Sequence, residues 1–94
     1  MKYKIGDWIV FTDKEGSKRW KEFHGISLYG KIGKITDIDK SEIPYIIEFK
    51  EFIDDYNGYY SYYGKGKDSH CRRCHKNQIS LYKDFYKLKK LLQN

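Results

Sequence analysis

Three apolar stretches, each opened by glycine or proline, constrain this chain more than any other feature. Ile5-Gly6-Asp7-Trp8-Ile9-Val10-Phe11 comes first. Gly30-Lys31-Ile32-Gly33-Lys34-Ile35-Thr36-Asp37-Ile38 follows, then Tyr45-Ile46-Ile47-Glu48-Phe49 behind Pro44, the only proline. Alternation within them has the two-residue period of half-buried strands. Ile9 and Phe11 share one face of the first strand, taken as the inner one, while Trp8 and Val10 share the other. Ile35, Ile47 and Phe49 point inward from the next two strands. Gly30 and Gly33 are placed where the backbone needs a positive φ or close approach. Pro44 opens a strand, where a missing N–H is tolerated.

Further along, Ser69 to Cys74 reads as a fourth strand, Lys76-Asn77-Gln78 as a 3₁₀-like turn and Ile79-Ser80-Leu81 as a fifth strand. Leu81, Phe85, Leu88 and Leu92 recur at i, i+4, i+7 and i+11, the apolar stripe of a terminal helix. Lys83, Lys87 and Lys90 form a second, basic stripe. Two segments stand apart. Residues 13–29 read as a long polar loop in which one helical turn would present Trp20 and Phe23 together. In residues 56–67, Asn57-Gly58 is a hairpin signal set among tyrosines.

Ninety-four residues make one domain, spanning residues 1–94, with the β part over about 3–82 and the helix over about 83–93. So small a core does not hide all of the 10 Tyr, 5 Phe and 2 Trp, so some rings must face outward. Among the residues, no run of about 18 apolar positions exists, which argues against a membrane span. The first residues lack the apolar stretch of an export signal, so a cytoplasmic location is expected. Lysine, isoleucine and tyrosine are abundant and alanine is absent, the bias of AT-rich genomes, many phages and mobile elements among them.

Charge is polarised. Residues 37–56 carry seven acids against two bases, and residues 64–94 carry nine bases against two acids. The basic third is the side an anionic partner would meet; the plainer reading is a set of solvated charges that keep a small domain soluble.

The three stretches, together with Cys74-His75-Lys76-Asn77-Gln78-Ile79-Ser80-Leu81, resemble the SH3-like small β-barrel superfamily, especially its KOW-type and related bacterial and phage versions. The resemblance implies a mainly β fold, a five-stranded SH3-like barrel; the long loop after strand 1, the Tyr-rich hairpin and the C-terminal α-helix are where this chain departs from ordinary members. It also implies binding rather than catalysis, to nucleic acid, ribosomal surfaces, peptides or proteins, through the segments 13–29 and 50–68.

The residues themselves point the same way. Tyr59, Tyr60, Tyr62 and Tyr63 beside Lys65, Lys67, Arg72 and Arg73 combine stacking rings with cations, the chemistry of single-stranded nucleic-acid binding, and Trp20 is added from the long loop. The same rings suit a protein interface, or pack among themselves in a two-stranded sheet. The expectation is a non-catalytic binding module for nucleic acid or a nucleoprotein. The alternative is a protein-binding module, such as a phage or mobile-element inhibitor of a host system, that uses the same aromatics. No nucleophile elbow, phosphate loop or zinc-hydrolase signature is present, so no enzyme is expected.

His70-Cys71-Arg72-Arg73-Cys74-His75 contains Cys-x-x-Cys, half of a tetrahedral zinc site. Cys71 and Cys74 with His75 and His24 form the candidate metal set. The competing reading places Cys74 in the core with the histidines exposed and no cofactor at all. Arg72 and Arg73 are expected to lower the thiol pKa values.

Overall fold

The computed structural model describes residues 3–51, 53 and 70–92, with side chains described through residue 87. Its elements in chain order are β1 (Trp8–Phe11), α1 (Lys14–His24), β2 (Ile32–Ile38), β3 (Tyr45–Phe49), β4 (Cys71–Cys74), a 3₁₀ turn (Lys76–Gln78), β5 (Ile79–Leu81) and α2 (Tyr82–Leu92). The five strands form one antiparallel sheet in the order β4-β3-β2-β1-β5. A mainly β architecture with a C-terminal helix, consistent with an SH3-like small β fold, is therefore present. The expected closed barrel is not. Among the described residues, β4 and β5 occupy opposite edges of the ladder and the sheet does not close on itself. It curls instead, so that Cys74 from one edge and Ile79 from the other enter the same core cluster.

That cluster contains Ile9, Phe11, Ile35, Ile47 and Phe49, as the strand alternation predicts, joined by Tyr3, Leu28, Tyr45 and Ile53. Each such large apolar side chain contributes roughly 1.5–3 kcal/mol on burial. Phe11 and Phe49 meet edge to face, with centroids 6.4 Å apart, and the Tyr3 hydroxyl donates to the Ile79 carbonyl at 3.0 Å.

The glycine positions divide as expected between the two roles. Gly30 takes φ +83° at a turn. Gly33 has no unusual φ; it faces the core opposite Phe49, where an added Cβ would come within 2.6 Å of Ile47 Cγ2 and 3.1 Å of Phe49 Cδ1. Later in β2 the register shifts between Ile35 and Asp37. Strict alternation would turn Asp37 inward after Ile35. The bulge at Thr36 exchanges it for Ile38, which packs against the core.

The segment after β1 departs from expectation. Residues 14–24 are not a loop with a single helical turn but α1, an 11-residue helix that ends at Gly25 with φ +79°. Its buried residues are Gly16 and Ser17. Phe23, expected beside Trp20, is 77% exposed, whereas Trp20 packs against the core. The Tyr-rich hairpin expected over residues 56–67 lies outside the described residues. Leu88 and Leu92 of the helical stripe lie beyond the described side chains.

Candidate functional site

The alternation of β4 decides where the sequence-derived candidates fall. Tyr45 pairs with Cys74 and Ile47 with Arg72, so Arg72 and Cys74 face the core beside two of its members. Arg72 is accordingly half-buried. Its guanidinium lies 5.2 Å from the Phe11 ring centroid and 5.0 Å from that of Trp20. Its Nη1 donates to the Arg73 carbonyl at 3.1 Å and to Cys74 Sγ at 3.3 Å. Trp20 donates its indole N–H to the Ile53 carbonyl oxygen, and its ring lies against His24 with centroids 3.9 Å apart. Both side chains thus serve the wall of the core.

Arg73 faces the other side of the sheet. It pairs with the Asp39 carboxylate and donates to Ser41 Oγ at 3.1 Å and to the Ile43 carbonyl at 3.2 Å. This tethers edge strand β4 to the β2–β3 connection. The Ser41 hydroxyl and amide and the Arg73 guanidinium hold the Asp39 carboxyl at about 2, well below the usual range. A depressed acid stabilises the fold above its unfolded value near pH 3.9, and that stabilisation is lost as pH falls towards 2. The wild-type protein should therefore lose more thermal stability between pH 4 and pH 2 than Asp39→Asn does. Parallel melting curves of the two proteins over that window would refute the assignment.

The proposed metal set is not drawn together. Residues i and i+3 of a strand project to opposite faces, so Cys74 enters the core while Cys71, paired opposite Glu48, lies on the far side. His24 is held against Trp20, and His75 precedes the 3₁₀ turn. Among the described residues no group of three or more His, Cys, Asp and Glu is placed to hold a metal ion. Nor are the histidines exposed: His70 is buried, with Nδ1 2.9 Å from the Phe49 carbonyl oxygen, and the other two are half-buried. The expected lowering of the thiol pKa is reversed at Cys74. Burial pushes it up to about 11, outweighing the adjacent Arg72.

Tyr59, Tyr60, Tyr62, Tyr63, Lys65 and Lys67 lie outside the described residues. Among those described, rings and cations meet at a place the sequence reading did not select. Trp8 stands on the outer face of β1, directly opposite Lys34 of β2. It is 42% exposed. The Lys34 and Lys50 ammonium groups sit 5.2 and 4.8 Å from its ring centroid, within the range of a cation–π contact. Beside it opens a cleft of about 440 Å³ lined by Lys4, Gly6, Asp7, Trp8, Leu81, Tyr82 and Lys83. Tyr82 and Tyr86, one helical turn apart on α2, stack at 6.1 Å and are exposed. The available signal was Trp8 itself, an aromatic on the solvent face of an otherwise apolar strand.

A larger cleft, of about 820 Å³, lies between the β2–β3 connection and the 3₁₀ turn, lined by Tyr3, Glu42, Pro44, Tyr45, His75 and Lys76 among others. It has mixed charge and its two tyrosines are buried, so it offers neither stacking faces nor a uniform field. No protein-family model matches the chain, and no curated protein matches it either.

Proposed function

We propose that this protein is a non-catalytic, SH3-like binding module for nucleic acid or a nucleoprotein, and that the described part of its contact surface centres on Trp8. The observation that carries the reading is the exposed indole flanked by the Lys34 and Lys50 ammonium groups and continuous with a cleft bearing Lys4 and Lys83. An aromatic face flanked by cations accepts a base by stacking and a phosphate by charge. Tyr59, Tyr60, Tyr62, Tyr63, Lys65 and Lys67 belong to the same proposal on the strength of their sequence. Arg72 and Trp20 are engaged with the core and Arg73 with Asp39, and they are not counted in the described part of this surface.

Fluorescence anisotropy with a labelled single-stranded oligonucleotide tests this. If the four lysines each neutralise a phosphate, raising salt from 50 to 200 mM weakens binding roughly fifty-fold. Trp8→Ala should weaken it about 5- to 150-fold, the worth of one stacked base. Binding that ignores salt, or none at all, removes the proposal.

A protein partner is the second reading. It is favoured by Phe23, which stands 77% exposed on α1 as a lone aromatic anchor. Under that reading Phe23→Ala, not Trp8→Ala, abolishes capture of a single stoichiometric protein after nuclease treatment.

A further inference from the structure

We infer that the cleft beside Trp8 is a pocket for one unstacked nucleobase, which makes the protein selective for single strands over duplex; this rests on the nucleic-acid reading above. The volume, about 440 Å³, lies near the lower end of the roughly 300–1,000 Å³ typical of small-molecule sites. That is room for a single nucleotide and not for a paired helix.

The lining assigns each part of a nucleotide to a place. Trp8 and Tyr82 supply aromatic surface, and Leu81 supplies an apolar side chain between strand and helix. Lys4 and Lys83 supply cations. Asp7 is the one carboxylate, and its Oδ2 accepts the Lys4 backbone N–H at 3.0 Å. A carboxylate among the lining residues disfavours a phosphate inside the cleft and suits the donor edge of a base. The phosphates then fall to the lysines. Gly6 lines the cleft at φ +94°, and a Cβ there would meet no atom within 4 Å. Its N–H donates to the Ile35 carbonyl at 2.8 Å, which ties this part of the lining to β2.

A base reaches such a pocket only when its faces are free. In a duplex both faces are stacked, and extracting one costs a few kcal/mol. Lysines alone would not discriminate in this way, because duplex presents phosphates at least as densely.

The experiment compares a labelled 12-nucleotide single strand with the corresponding duplex, at one salt concentration, for the wild type, Trp8→Ala and Tyr82→Ala. Both rings are partly exposed, so both variants are expected to fold, which their melting temperatures check. The expected result is at least ten-fold tighter binding of the single strand by the wild type. Either substitution should reduce that ratio towards one while salt-dependent binding of both ligands persists. Equal or tighter binding of duplex by the wild type overturns the base pocket and leaves the broader reading standing. An unchanged ratio in both variants also overturns it. Binding of neither ligand overturns both.

Discussion

Ser17→Ala is expected to destabilise the fold by about 1–3 kcal/mol for each backbone donor it orphans, and it orphans two. Ser17 is a small polar residue on a helix, and nothing in its local sequence marks it as important. Yet it is buried, and its Oγ accepts the Leu28 and Tyr29 amides, each at 2.8 Å, and lies 2.9 Å from Ser27 Oγ. One hydroxyl thus terminates the loop that returns the chain from α1 to the sheet. It also positions Leu28, which is fully buried in the core. Alanine preserves helix propensity, so the loss would report the orphaned amides and not the helix. Chemical denaturation should show a lowered midpoint. A change below about 0.5 kcal/mol would mean that water reaches those amides and that the hydroxyl is dispensable.

Phe49→Ala should cost about 3–5 kcal/mol, by opening a cavity where the ring meets Phe11. The position also explains Gly33 across the ladder, whose missing Cβ leaves room for Phe49 and Ile47. Gly33→Ala in the wild type forces these neighbours apart. In the Phe49→Ala background part of that clash is gone, so the second substitution should cost less there than alone. The Ile47 contact at 2.6 Å remains, so relief is partial. Strict additivity in the double-mutant cycle would show that the two positions do not share this space.

The sequence was most informative where burial follows a period. Ile9, Ile35, Ile47 and Phe49 entered the core because alternation places them there, and the 3₁₀ turn and β5 fall on the residues expected of them. α1 was illegible for a definite reason. It docks through Gly16, Ser17 and the single ring of Trp20, so it lacks the run of aliphatic residues by which a buried helical stripe is usually recognised. Sheet closure is a question of curvature and edge distance, to which local pattern is blind. Arg72 is a different case. Placing Cys74 in the core already implies that the residue two before it shares that face, but the doublet Arg72-Arg73 reads naturally as one patch when taken as charge alone. In the strand it divides, one guanidinium against Phe11 and Trp20 and the other against Asp39.

The pairing of β1 carries a consequence for how the molecule is made. Its two neighbours are β2, which follows soon after it, and β5, whose Leu81 lies opposite Ile9. On the ribosome, the first side of β1 is covered early, while the second must wait until residues 79–81 have emerged. Through that interval Ile9, Val10 and Phe11 border an open edge of the kind that recruits other strands. A nascent chain stalled before residue 79 keeps that edge of β1 uncovered, and the brevity of the turn joining β4 to β5 shortens the last step of the wait.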